Sequence, residues 1–459
     1  MSSNQSDLKE KSEKSIGIAD IIDFYKQGCK KPQDVAIGME VEKHGIYEGT
    51  HKPIPYFGSK GLRSIQKKMV AELGWKVSKK EDEFLLALER CGSLITLETS
   101  ESMCELSGRT HTSIHDLARE LKIHQHEVSV MSKIFGVQWL GIGIQPFAHN
   151  TQIRRLQSPR YKILYDYLES RRGLWEDELK KTASVQENID FISQEDARIK
   201  FQTLLKLSPF LGAMYAHSPI CNGELTNFVS YRMHVLNHND PVRFGIRKMF
   251  FKEDFGFEDW IDFCLDIPVI AIKRDDKWHA MKNTTFRQFL KSGYDGHKPT
   301  LEDWQVHTGF IYSFVRIKKY IELRICDGVP SFLIPSIQAI VKAFVYHPDG
   351  KKALKEITKN WSFNDFNESY EQIARKGMQF EVRGKMLLDY CKEILEVASD
   401  NLKALKTYNK QKIDESVYLM PIKDFVFVKE MSPGSFVAEQ WETEWNRNPK
   451  RLIEWCRYE

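Results

Sequence analysis
VAIGMEVEKHGIY, residues 35–47, reads as a strand with one apolar and one acidic face. Side chains alternate across a strand, so Ile37, Met39 and Val41 share one face while Glu40 and Glu42 share the other. The division recurs in three further stretches. In KTASVQENIDF, residues 181–191, Ala183, Val185, Ile189 and Phe191 oppose Ser184, Gln186, Asn188 and Asp190. In LITLE, residues 94–98, Ile95 and Leu97 oppose Thr96 and Glu98, and in YIELRI, residues 320–325, Ile321, Leu323 and Ile325 oppose Tyr320, Glu322 and Arg324. Four such strands predict an antiparallel sheet with a core face and a polar face. A merely solvated face mixes both charge signs, whereas these positions carry mostly carboxylates and amides.

Working outward, apolar residues at helical spacing predict helices over 18–27, 62–73 and 112–135. VQWLGIGIQP, residues 137–146, reads as a strand, 197–207 as a helix, and SPFLGAMYAHSP, residues 208–219, as a second apolar helix stopped by Pro219. From about residue 331 onward the pattern is mostly helical, and the Lys-rich run at 403–412 reads as a solvated helix face. No linker or repeat divides the chain. The expectation is a disordered tail over 1–15 and a single α+β domain over 16–459, a curved, mostly antiparallel sheet with flanking helices and a helical C-terminal part at about 331–459.

The chain has 459 residues, 67 Lys+Arg against 63 Asp+Glu, 42% hydrophobic and 12% aromatic residues. That is enough apolar material for a large core, and the near-balanced charge argues against a nucleic-acid partner. No run reaches the ~18 apolar residues of a membrane span, and the polar start, MSSNQSDLKEKSEKS, has no secretory pattern. Eight scattered cysteines without a CxxC pair fit a thiol-reduced, cytoplasmic protein better than a zinc knuckle or a disulfide scaffold. A monomer or homodimer acting on small molecules is the matching expectation for assembly.

Glu40, Glu42, Glu98, Glu105 and Glu322, packed on one face, would repel and take up protons unless a cation neutralised them. Oxygen-only ligands suit Mg²⁺ or Mn²⁺, and a Mg²⁺-loaded carboxylate face is a place to hold a nucleoside triphosphate. The chain has no GxxxxGK[ST] loop and no GxSxG elbow, and the Gly-x-Gly of GIGIQP lacks the third glycine of a dinucleotide site.

In order along the chain, IGMEVEKHGI, ITLE followed by ELSG, LGIGIQP, PRYKILYDYL, KTASVQENIDF, SPFLGAMYAHSP, SYRMH, DPVRFG, DFGFEDWIDFCLDIPV, TFRQFL, LEDWQVH, VRIKKYIELRICDGVP and GMQFEVRGKMLL resemble the glutamate–cysteine ligases of the plant and proteobacterial type. The resemblance covers about residues 35–450. It implies a glutamine-synthetase-like catalytic fold and an ATP-dependent ligase that activates the γ-carboxylate of L-glutamate as γ-glutamyl phosphate, then joins it to the amine of L-cysteine, the first step toward glutathione. It further implies Glu40, Glu42, Glu98, Glu105 and Glu322 as ligands of Mg²⁺ or Mn²⁺, Arg232 on the substrate carboxylate, and Glu322 and Arg324 as catalytic groups, with Arg324 on the transferring phosphoryl. Gln186, Asn188 and Lys43 are the remaining cofactor-side candidates, although Lys43 alternates onto the opposite strand face. His149, His234 and His307 are candidate bases, each with a structural reading beside it. TSESMC, residues 99–104, departs from the family's glycine-containing turn and adds an acid at Glu101. The alternatives are a related ligase with another acceptor amine, a phosphagen-kinase-like phosphotransferase, and a binding protein with a decayed site.

Overall fold
The computed structural model describes residues 15–171 and 173–458; residues 1–14 of the expected tail lie outside them. Among the described residues nine strands build the main sheet: β1 (Ile37–Tyr47), β2 (Lys76–Glu81), β3 (Phe84–Arg90), β4 (Ser93–Leu97), β5 (Met103–Ser107), β6 (Val137–Leu140), β7 (Val185–Ile189), β8 (Val315–Ile317) and β9 (Ile321–Leu323). Their order is β8-β9-β7-β1-β5-β4-β3-β2, with β6 pairing the C-terminal part of β1 beyond β7. Every pairing in this open sheet is antiparallel.

The eleven-residue β1 is the hub. Its Ile37, Met39 and Val41 are buried in a hydrophobic core that runs from Ile21 to Tyr458. The helices used below are α1 (Leu62–Glu72), α2 (Ile114–Phe135), α3 (Pro159–Glu169), α4 (Trp175–Lys181), α5 (Gln194–Met214), α6 (Tyr231–Asn237), α7 (Ile334–Val345), α8 (Phe363–Lys376) and α9 (Leu387–Leu405). α5 packs on β8 and β9, α7 packs on β1, α5 and α9, and α1 packs on β3. Beyond residue 331 the chain is predominantly helical, as its pattern predicts.

Local chemistry explains the element ends. Ser113 caps α2 by accepting from the His115 amide, and Gly136 stops it at φ 64°, a left-handed conformation that glycine adopts without steric cost. Pro159 opens α3 at its first position, where a missing N–H leaves nothing unpaired.

Two expectations need correction. The stretches expected as two helices over 197–207 and 208–219 form one helix, α5, which ends at Met214 and has Pro209 inside it. Proline removes the bond to the carbonyl four residues earlier, but the Ser208 hydroxyl donates to that Leu205 carbonyl at 2.8 Å. The strand expected over 137–146 ends at Leu140, because the Gly141 and Gly143 amides turn to the Cys456 and His217 carbonyls at 2.8 and 3.0 Å.

Candidate active site
The polar face of the sheet forms the floor of a cleft of about 300 Å³, roofed by α3, α4, α6 and the segment 309–314. Glu42 of β1 stands directly opposite Glu105 of β5, which in turn stands opposite Thr96 of β4. Glu98 lies one residue past β4, and single carboxylate oxygens of Glu42, Glu98 and Glu105 all lie within 4.8 Å of one another. Burial pushes all three carboxyls above their ordinary range. The charges of Glu105 and Glu42 add to this at Glu98, and that of Glu42 adds to it at Glu105. Three oxygen donors with undercompensated charge fit a hard divalent cation such as Mg²⁺ or Mn²⁺.

The amides beside this cluster orient it. Glu42 accepts from the Ser184 amide and hydroxyl at 2.6 and 2.9 Å and from Gln186 Nε2 at 3.1 Å. Glu40 accepts from Asn188 Nδ2 at 2.8 Å. Burial, with Glu105 and Glu322 adding to it, pushes the Glu40 carboxyl up to about 7 against the opposing pull of Lys318 and Asn188.

Glu322, expected among the metal ligands, is engaged by cations in the structure. Its buried carboxylate is taken by three cations: the Arg316 guanidinium opposite it on β8, Lys318 Nζ at 2.7 Å and an Arg324 nitrogen at 3.0 Å. Burial opposes its ionisation, yet these cations hold the carboxyl well below the usual range. The same Arg324 nitrogen donates to Gln186 Oε1, so Arg324, Gln186 and Glu42 form a continuous polar chain across three strands. Gln186 therefore links the cationic and acidic halves of the cleft.

Arg232 enters from α6, whose first turn is capped by Ser230. It donates to the Ile325 and Arg324 carbonyls at 3.1 and 2.9 Å and lies 3.5 Å from Asp327. Asp327 accepts from the His217 amide and the hydroxyls of Ser218 and Ser230 at 2.8, 2.7 and 3.0 Å. Gly143 makes room for it, since a Cβ there would sit 2.6 Å from the Asp327 Cγ.

The cleft also holds residues that strand alternation did not reveal. Arg160 and Tyr161 come from α3, Glu178 from α4, and Tyr312, Arg316 and Lys318 from the segment leading into β9. Burial, with Glu42 adding and Arg324 and Arg232 opposing, pushes the Glu178 carboxyl up to about 8, and its Oε2 is buried without a hydrogen-bond partner among the described residues. The alternation of Arg316 and Lys318 in VRIKKY was a readable signal, and Arg160 lies in the family-like stretch PRYKILYDYL, but neither the spacing nor the residue type marked Arg160 or the helical Glu178 as facing the sheet.

Lys43 is not brought into the cleft. It lies on the other sheet face, opposite Cys104 in the ladder and 5.1 Å from the Tyr458 ring. Glu101 accepts from the Tyr56 amide at 2.9 Å and so anchors its turn. Of the candidate bases, His149 is exposed, His307 is buried with Nε2 2.8 Å from the Cys264 carbonyl, and His234 stacks on Phe228; none lines the cleft. All eight cysteines are unpaired.

An open antiparallel sheet with a carboxylate cluster beside two arginines is a site suited to a divalent cation and anionic substrates. The family model of glutamate–cysteine ligase family 2 matches residues 36–439, and the chain belongs to that family. It is similar to the chloroplastic glutamate–cysteine ligase of Medicago truncatula, with 28% identity over 443 residues covering 96% of this chain and 85% of that one. The chloroplastic glutamate–cysteine ligase A of Oryza sativa subsp. indica is 29% identical over 436 residues, covering 94% and 85%. Among solved structures, the glutamate–cysteine ligase of Francisella tularensis in complex with AMP shares the fold, with a TM-score of 0.55, 14% identity and coverage of 92% and 87% of the two chains.

Proposed function
We propose that this protein uses ATP to join the γ-carboxylate of L-glutamate to the amine of L-cysteine, with Mg²⁺ or Mn²⁺ held by Glu42, Glu98 and Glu105. The observation that carries the reading is the gathering of those three carboxylates within 4.8 Å in the cleft that Arg232 and Arg324 also line. The bound cation would screen the repulsion between two anionic substrates. A carboxylate is a poor electrophile, so transfer of the γ-phosphoryl group first makes an acyl phosphate, which the amine then attacks with loss of phosphate.

The chain's own groups divide this work by charge. Arg232, fixed by two backbone carbonyls, presents guanidinium donors to the substrate α-carboxylate, for which a planar fork is suited. Arg324 faces the phosphoryl oxygens, its charge maintained by Glu322. Glu40, tethered by Asn188, adds a carboxylate to the cation side of the cleft. Glu178 takes the proton that the attacking amine must lose, because its carboxyl is pushed up to about 8 and a base works best with a proton affinity near the operating pH.

The test is incubation with ATP, Mg²⁺ and glutamate, with and without cysteine, and identification of the product by mass. γ-Glutamylcysteine formed only with all components supports the reading. Phosphate release indifferent to cysteine, or a different condensation product, overturns it.

A further inference from the structure
A second group of metal-ligating side chains lies outside the cleft, on the outer side of α6. His234 and His238 are four residues apart on and just past that helix, a spacing that puts both rings on one face, and Glu371 of α8 faces them. One ligand atom from each of the three lies within 4.8 Å of the others. The imidazoles are 4.2 Å apart between centroids, and His238 Nδ1, 4.0 Å from Glu371 Oε2, donates to the His234 carbonyl at 3.0 Å, which leaves Nε2 as that ring's ligand atom.

The surroundings give these groups the features of a site. His234 Nδ1 is buried without a hydrogen-bond partner among the described residues, and its ring is stacked 4.0 Å from Phe228. Burial lowers the His234 proton affinity, with His238 and Arg375 assisting and Glu371 opposing, so the ring is a neutral donor. Glu371 is steadied by Arg375, which bonds its Oε1 at 3.0 Å and leaves Oε2 toward His238.

We propose that His234, His238 and Glu371 bind one divalent ion of the zinc class. Two imidazole nitrogens and one carboxylate oxygen match the ligand preference of that ion and leave a fourth position for water. Tetrahedral coordination needs ligand atoms about 3.4 Å apart, and side-chain rotation of the exposed His238 and half-exposed Glu371 supplies the closure. The hard oxygen cluster of the cleft selects a different metal, so this site does not depend on the proposed reaction. Occupancy ties α6, which carries Arg232, to α8.

Calorimetric titration of chelator-treated full-length protein with Zn²⁺, in excess Mg²⁺, tests the site, with thermal unfolding as a second readout. The expected result is one zinc equivalent and a raised melting temperature in the unchanged protein and in Glu105→Gln. In His238→Ala, which alters an exposed side chain, and in Glu371→Gln, affinity should fall by at least the ~10–100-fold that even an outer-shell change costs. Zinc binding that is absent, undiminished in His238→Ala, or lost in Glu105→Gln overturns the proposal.

Discussion

Arg316 and Glu322 stand directly opposite each other in the β8–β9 hairpin and form a buried ion pair, to which Lys318 and Arg324 add two more positive charges. One carboxylate therefore balances three cations at the edge of the cleft. Removing it leaves the buried Arg316 and the partly buried Lys318 and Arg324 without their shared counter-charge. Glu322→Gln should destabilise the protein by ~3–5 kcal/mol as well as abolish turnover, measured by denaturant unfolding beside the ligase assay. A variant as stable as the parent would show that the carboxylate is not the counter-ion described above.

Glu42 and Glu105 present the opposite case, because they are like charges facing across a ladder. Such pairs cost ~0.2–1 kcal/mol. Glu105→Gln should raise the unfolding midpoint of the metal-free protein while lowering activity by two or more powers of ten, as expected when a metal ligand is lost. Metal-free Glu105→Gln that melts below the parent would contradict the repulsion.

Glu178 is assigned the amine proton. Its replacement by Gln should lower kcat by ~10²–10⁴-fold with little change in KM for glutamate. The parent's rate should rise with pH through about 8, the value to which burial pushes this carboxyl, because a base must be ionised to accept. That rising limb should vanish in the variant; if it persists unchanged, another group accepts the proton.

The Glu40 carboxyl, raised to about 7 in the folded chain, titrates near ~4.3 when unfolded. Both states hold the proton below the unfolded value. Between the two values the folded state keeps a proton that the unfolded state has released, so this contribution to stability is lost as pH rises toward 7. Burial raises Glu42, Glu98 and Glu105 in the same direction. The contribution of this carboxylate cluster to the stability of the metal-free protein, read as the difference between the parent and Glu40→Gln, should accordingly fall from about pH 4.3 toward 7. Mg²⁺ should displace protons and raise the melting temperature more at about pH 8 than at about pH 6. An equal Mg²⁺ effect at both values would count against carboxylate ligation.

Period-two alternation made the floor of this cleft readable: it placed Glu40, Glu42, Glu98, Gln186 and Asn188 on one face and sent Lys43 to the other. Alternation reports which face a side chain takes, and says nothing of what a helix lays over that face. Arg160 and Glu178 arrive on α3 and α4, far from β1 in sequence, and only tertiary packing brings them in. The fate of Glu322 was hidden for a related reason. Its position was legible, but its engagement depended on the close return of Arg316 and Lys318 through a tight hairpin. The expected break between residues 207 and 208 is absent because the Ser208 hydroxyl satisfies the Leu205 carbonyl that Pro209 cannot bond, so the helix runs through it.

The close packing of Gly143 against Asp327 has a genetic corollary. A single added methyl at position 143 would shove aside the carboxylate that organises the entry to α6, and with it the anchoring of Arg232. The variant would mimic a defect in substrate recognition although the altered residue contributes no polar group to the pocket. Loss by crowding at Gly143 and loss of charge at Arg232 would therefore share one phenotype.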